Sequence, residues 1–191
     1  MQRAAAPLLI FLTGLAAPNA VPTPASPPAA CALITGDELE AAQQSELSEA
    51  TATELVRDGL AVSRCFFRTR DFARSVSLEI TRRLPESRDA GGPRERWQAM
   101  FHGDADKEER EHEPSRGGAG TEEGEKQEPQ PIAGLGDEAF WLGTGTYGVL
   151  YVLEGELYLR ISAGGPGSRE EKLLHSRVLA TRALARLAGG G

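Results

Sequence analysis

The side chains with the most reactive chemistry in this chain are its two cysteines, Cys31 and Cys65. In an oxidising compartment, two cysteines most simply form one disulfide. The two cysteines are 34 positions apart, and closing a loop of that length would stabilise a small domain by about 4 kcal/mol. The alternative is a reactive or metal-binding thiol, although neither cysteine lies in a C-x-x-C motif and no histidine is near either one in the sequence.

Signatures of hydrolytic enzymes are not found in the sequence. It contains no G-x-S-x-G nucleophile motif, no H-E-x-x-H zinc motif and no S-x-x-K motif. Carboxylates are abundant, but most lie in polar segments too mobile to hold two of them in catalytic geometry. We therefore predict no catalytic residues and no cofactor, and the alternative is an envelope hydrolase of unrecognised type.

Two glycine-rich segments have spacings that resemble phosphate-binding loops. Residues 143–148 match G-x-G-x-x-G, but a strand pattern follows them, whereas a dinucleotide site needs the N-terminus of a helix. We interpret this segment as a hairpin. Residues 164–168 do precede a helix, yet they lack the lysine of a phosphate loop, and Pro166 removes one amide donor. A turn followed by a helix cap is the favoured interpretation there.

The acidity of the chain is concentrated in residues 103–130, which hold ten acidic and four basic side chains. This segment has no aromatic residue and no large aliphatic one, so it cannot bury enough surface to become ordered. We predict a disordered, charged insertion suited to electrostatic contacts. Weak calcium or zinc binding, with His102 and His112 as ligands, is an alternative. An EF-hand is excluded because Glu109 stands where the loop needs glycine.

The start of the chain has the layout of a secretory signal peptide. In residues 1–20, Arg3 precedes an apolar stretch that is too short to span a bilayer comfortably and ends in small residues. Residues 21–30 form a linker rich in proline and alanine, and residues 31–188 form a single domain. These features predict an extracytoplasmic protein, periplasmic or secreted. Lipid anchoring at Cys31 is less expected, because that residue lies far from the apolar stretch.

Periodicity divides the domain into helices and short strands. Val76, Leu78 and Ile80 alternate with polar residues, which indicates a strand with one buried face. The predicted helices cover residues 35–44, 94–102 and 168–187, and the predicted strands include residues 60–68, 75–81, 138–142, 149–153 and 157–162. Residues 45–58 are polar and ambiguous, with a strand around Thr53–Val56 as one interpretation. The expected fold class is α+β, with a mainly antiparallel sheet of about four to six strands and an amphipathic C-terminal helix packed on the sheet.

Two helix faces are predicted to pack against the core. Trp97, Met100 and Phe101 share one face of the middle helix, and core packing explains them better than an aromatic binding box does. In the last helix, Leu174 and Val178 belong to the apolar half that is expected to face the sheet.

Several short strings together carry a resemblance to a known family. They are residues 31–35 (CALIT), 63–67 (SRCFF), 74–78 (RSVSL) and 134–141 (GLGDEAFW). The chain resembles, over residues 31–188, a family of exported bacterial domains of unknown function that includes many cell-envelope lipoproteins. The resemblance implies a PsbP-like α+β fold and a disulfide between Cys31 and Cys65. It implies no catalytic residues.

These observations favour a non-enzymatic exported binding or interaction module whose partner is an envelope protein. Trp141, Tyr151 and Tyr158 are the candidate binding residues, expected on an exposed face of the sheet. A formal net charge of −7 argues against nucleic-acid binding. No stretch after the first segment is long and apolar enough for an integral membrane protein.

Overall fold

The computed structural model describes residues 29–87, 91–103, 128–144 and 146–189. The predicted signal peptide, nearly all of the linker, and the greater part of the predicted insertion with His112 lie outside the described residues. Their predictions therefore stay predictions.

Three helices and seven strands make up the described chain. The helices are α1 (Gly36–Gln43), α2 (Pro93–Phe101) and α3 (Arg169–Gly189). The strands are β1 (Leu47–Arg57), β2 (Leu60–Thr69), β3 (Val76–Arg83), β4 (Gln130–Pro131), β5 (Glu138–Gly143), β6 (Gly148–Glu154) and β7 (Leu157–Ala163). Short 3₁₀ turns cover Ala30–Ala32 and Phe72–Arg74.

All strands join one antiparallel sheet in the order β1-β2-β3-β7-β6-β5-β4. The predicted α+β class, the antiparallel pairing of β2 with β3 and the C-terminal helix on the sheet are confirmed. The sheet has seven strands, more than the sequence predicted. The ambiguous polar segment forms the 11-residue strand β1, and Gln130–Pro131 adds a short edge pair with β5.

The main core lies between the sheet and a layer formed by α1, α3 and the first 3₁₀ turn. Cys31 and Cys65 form a disulfide that fastens this turn to β2, as predicted. Ala30, at the end of the expected linker, is buried as well. Its amide donates to Ser63 Oγ at 2.8 Å, so the ordered chain continues one residue before Cys31.

Helix α3 packs on the sheet, but in a different rotation from the one its apolar residues predict. Leu174 and Val178 are exposed, whereas Ser176, Leu179, Ala180 and Ala183 are buried. The remaining leucines of the predicted face, Leu173, Leu184 and Leu187, pack partly buried against the core. The buried stripe is therefore turned away from Leu174 and Val178 and toward Leu179 and Ala183.

Helices α1 and α3 are joined by a bidentate ion pair. Arg186 Nη1 donates to Glu38 Oε2 at 2.8 Å, and Arg186 Nη2 donates to Glu38 Oε1 at 2.9 Å. Glu38 also accepts from the Thr35 amide as part of the capping box of α1. The Arg186 hydrogen bond, opposed by burial and helped by Thr35, lowers the pKa of Glu38 from 4.5 to about 2.

This pair predicts a loss of stability in acid. A carboxyl whose pKa is lowered by folding contributes fully above its unfolded pKa, and that contribution is lost as the pH falls from 4.5 to about 2. The Glu38 side chain keeps 21% of its exposure, so we expect a contribution on the order of 2 kcal/mol. Urea unfolding from neutral pH downward measures it: Glu38→Gln should remove this part of the acid slope, whereas Glu40→Gln on the exposed side of α1 should keep it.

Candidate functional site

The face of the sheet opposite α1 and α3 carries the candidate site, and helix α2 covers part of it. We call it the α2 face. Strand register lines up its side chains in rows that run across the sheet. One row contains Leu55, Val62, Thr81 and Tyr158, on β1, β2, β3 and β7 respectively.

An aromatic cluster fixes α2 to this face. Trp97 is completely buried, and its ring lies 4.5 Å from Phe101 and 5.9 Å from Phe140. The indole Nε1 donates to Glu138 Oε2, and His102 Nε2 lies 2.8 Å from the other oxygen of that carboxylate. Glu138 therefore contacts α2 at two places, at Trp97 in the middle of the helix and at His102 directly after its end. The predicted packing role of Trp97 is confirmed, since its ring is buried between α2 and this face of the sheet.

Two ion pairs fix α2 at its sides. Arg96 Nη2 donates to Asp58 Oδ2 at 2.7 Å, in the β1–β2 turn, and this guanidinium lowers the pKa of Asp58. Arg94 pairs with Asp137, in the turn before β5. The helix is thus held across the strands, and an open channel is left along its β1 side.

That channel, which we call the α2 groove, consists of two neighbouring cavities of about 180 Å³ and 360 Å³ that share Arg96 and Tyr158. Its lining residues are Leu55, Arg57, Leu60, Val62, Arg64, Glu79, Thr81, Arg96, Ala99, Met100 and Tyr158. Apolar side chains from the sheet and from α2 form its floor and one wall. Charged side chains form its rim.

The floor of the groove contains an unsatisfied hydroxyl. Thr81 is 1% exposed, and its Oγ1 has no hydrogen-bond partner among the described residues. It lies between Val62 and Tyr158, its register partners on the two neighbouring strands. A buried polar atom without a partner costs about 1–3 kcal/mol of folding free energy. Because Oγ1 itself has almost no accessible surface, it lowers the stability of the folded protein and is not presented to the groove.

Arginine dominates the rim. Arg57, Arg64 and Arg96 line the groove, and two carboxylates pair with them: Asp58 with Arg57 and Arg96, and Glu79 with Arg64. Arg64 donates to Glu79 Oε2 through Nε at 2.9 Å, and Arg160 is the register partner of Glu79 on the other side. Each guanidinium has five N–H donors, of which such a pair uses one or two. The rim therefore favours anionic groups, in contrast to the acidic chain as a whole.

The structure separates the three aromatic residues that the sequence singled out. Trp141 is completely buried on the α3 side, which corrects the expectation that it is exposed. Tyr151 and Tyr158 lie half-buried on the α2 face, where Tyr151 contacts Phe101 and Tyr158 contacts Trp97. Tyr158 lines the groove.

Burial of Trp141 also explains the G-x-G-x-x-G pattern. Gly143 and Gly148 face each other at the turn end of the β5–β6 hairpin. A Cβ atom on Gly148 would lie only 2.0 Å from the Trp141 ring. These two glycines are therefore needed to make room for the indole, and the strand β6 follows them, as predicted.

A further cavity of about 130 Å³ lies beside the segment 164–168. Ser168 and Glu171 form the predicted capping box, with the Ser168 amide donating to Glu171 Oε2 at 2.7 Å. The buried Lys172 donates from Nζ to the Gly167 carbonyl at 2.6 Å. Because the Glu171 carboxylate already accepts from the Ser168 amide, that amide at the start of α3 is occupied; Arg74, Lys172 and His175 also line this cavity.

The described residues contain no group of three histidine, cysteine or acidic side chains that could hold a metal ion. In the same part of the chain, no helix combines the length and the apolar character that crossing a bilayer requires.

Sequence reasoning identified Tyr158 but missed Thr81, Arg96 and Met100 as groove residues. Alternation puts Thr81 on the polar side of β3 and predicts that it faces solvent, since the pattern within one strand cannot show that α2 covers that side. Met100 was expected in the core, yet 44% of its surface is exposed at the groove. No sequence pattern marks the position where a helix stops covering a sheet.

No family model matches this chain. No curated protein and no solved structure matches it either.

Proposed function

We propose that this protein is an exported binding module that uses the α2 groove to hold a segment of an envelope protein. The segment supplies one large apolar side chain and a neighbouring acidic group. The carrying observation is the lining of the groove, where apolar side chains of the sheet and of α2, among them Val62, Met100 and Tyr158, lie below a rim of arginines. Such a mixture of apolar surface and a few polar groups is typical of ligand sites.

The ligand class follows from the shape and charge of the groove. The two cavities together are large enough for a side chain the size of leucine or phenylalanine, and Met100 and Tyr158 offer it apolar contact. The arginines at the rim favour a carboxylate next to that side chain. An acidic, apolar peptide segment meets both requirements.

The disulfide supports export as part of this proposal. Disulfides persist in secreted and periplasmic proteins and are rare in reducing compartments. The Cys31–Cys65 bridge joins two segments of the main core, and Cys65 is completely buried. Export also agrees with the predicted signal peptide and with the resemblance to exported bacterial domains, which we retain as part of the proposal.

Peptide selection tests the proposed site. Short random peptides displayed on phage are selected on the immobilised, oxidised protein, and the recovered peptides are synthesised and titrated by calorimetry. We expect them to combine a large apolar residue with aspartate or glutamate. Met100→Lys should weaken their binding about tenfold or more, because it places a cation on the apolar wall and removes the methionine contact.

The matched control is Val178→Lys, an equally exposed apolar residue on α3, on the other side of the sheet. It should leave peptide affinity unchanged. Equal loss in both variants, or no loss in Met100→Lys, would show that the peptides bind outside the α2 groove.

A second variant separates binding from stability. Thr81→Val keeps the shape of the side chain and removes the unpaired hydroxyl, so we expect the free protein to gain about 1 kcal/mol of unfolding free energy. The same change should leave the affinity of the selected peptides nearly unchanged, because Oγ1 has almost no accessible surface in the groove. Urea unfolding and calorimetry measure the two effects. A destabilised protein would contradict the assignment of Oγ1 as a hydroxyl without a partner.

A further inference from the structure

The strand β1 forms one edge of the described sheet. It has 11 residues, nearly all of them exposed, and its only strand neighbour in the described chain is β2. Val56 is 67% exposed on this strand. Long unpaired edges are templates for further strand pairing.

The β1–β2 turn fixes which backbone groups of β1 point outward. Asp58 and Gly59 have φ values of 51° and 75°, as in a two-residue type I′ turn. In such a hairpin the flanking residues Arg57 and Leu60 form a hydrogen-bonded pair. A hydrogen bond from the Leu84 amide to the Gly59 carbonyl supports this pattern. Gly59 bonds toward β3, so the next residue, Leu60, directs its own N–H and C=O groups toward β1.

Hydrogen bonding alternates along an antiparallel strand, so every second residue counted back from Arg57 bonds to β2. The residues between them direct their N–H and C=O groups away from the sheet. These outward residues are Ala50, Ala52, Glu54 and Val56. They supply an uninterrupted set of donors and acceptors, since no proline occurs in β1.

We propose that two copies of this chain pair antiparallel through β1, with the two-fold axis at Thr53, and thereby join their sheets into one. In this register, Glu49 of each copy lies opposite Arg57 of the other. Thr51 lies opposite Leu55, and Thr53 lies opposite itself. Cross-strand pairs of opposite charge and pairs of threonines are both favourable.

The other side of the joined strands is also complementary. Ala50 of one copy lies opposite Val56 of the other and covers part of that exposed side chain, and Ala52 lies opposite Glu54. The two nearest registers with the same backbone alternation are worse. One places Glu49 opposite Leu55, and the other places Glu54 opposite the same residue of the second copy, where like charges repel. Charge complementarity therefore selects the register centred on Thr53.

Sedimentation equilibrium of the purified, oxidised protein tests this pairing. We expect a concentration-dependent mass that approaches twice that of one chain. Arg57→Glu and Glu49→Arg should each weaken association about tenfold or more, because each sets like charges opposite each other at two places. The combined variant, Glu49→Arg with Arg57→Glu, should restore dimerisation, since it reverses both members of each pair.

Two further variants check the geometry. Ala52→Pro removes an outward amide at the sheet edge, where proline is tolerated, and should give a folded single chain. Glu46→Arg reverses a charge just outside the paired register and should leave association unchanged. A wild-type mass of one chain at every attainable concentration, or failure of the combined variant to restore the dimer, would overturn the proposal. The pairing does not depend on the function of the α2 groove.

Discussion

Replacing Cys31 and Cys65 together by alanine is expected to lower the free energy of unfolding by about 4 kcal/mol. The bridge closes a loop with a sequence separation of 34, and its loss restores that conformational freedom to the unfolded chain. Cys65 lies in the core beside Leu78, its register partner on β3, so removal of the sulfur also loosens packing there. The free energy of unfolding of domains of this size is commonly about 5–15 kcal/mol, so the variant should be close to unfolding at physiological temperature.

Reduction of the wild-type protein is the control for this experiment. Dithiothreitol should lower the unfolding midpoint of the wild type toward that of the double alanine variant and leave the variant unchanged. Thiol alkylation of the protein isolated from its native cells should find both cysteines oxidised. A loss below about 1 kcal/mol would mean that the unfolded chain keeps its two segments together without the bridge.

Trp97→Ala is expected to lower the free energy of unfolding by about 3–5 kcal/mol, the usual range for truncation of a buried tryptophan. The change removes the ring that contacts Phe101, Phe140 and Tyr158, and it leaves the Glu138 carboxylate without its indole donor. A helix of 9 residues is not stable in isolation. Helix α2 should therefore detach from the sheet before the main core unfolds.

Hydrogen exchange distinguishes local detachment from global unfolding. In Trp97→Ala, the α2 amides should lose protection from exchange. The amides of β3 and β7 should still exchange only through global unfolding, with a free energy equal to the reduced stability of the variant. Met100→Ala, on the exposed side of the same helix, should change little. Retained protection of α2 in the tryptophan variant would show that Glu138 and the two arginine pairs hold the helix by themselves.

The α2 groove should be lost when α2 detaches, because Arg96, Ala99 and Met100 of this helix form its wall. Peptides that bind the wild type should therefore lose affinity for Trp97→Ala even under conditions where the sheet remains folded. This links the stability of the second face directly to the proposed function.

The sequence by itself determined the local elements and the covalent link. The capping boxes at Thr35 and Ser168 located two helix starts, because their hydrogen bonds join residues three positions apart. Alternation in β3 predicted its buried face correctly for Val76, Leu78 and Ile80. Two cysteines allow one intramolecular pairing, so the disulfide needed no knowledge of the fold.

Only the tertiary structure decided which surfaces remain open. Thr81 is buried and Met100 exposed because α2 crosses the second face of the sheet and ends its coverage beside β1. Trp141 is buried because Gly143 on its own strand and Gly148 on the neighbouring strand leave room for its ring, on the face of the sheet that α3 covers. Such outcomes depend on how elements far apart in the chain fit together, and periodicity within one element carries no information about that fit.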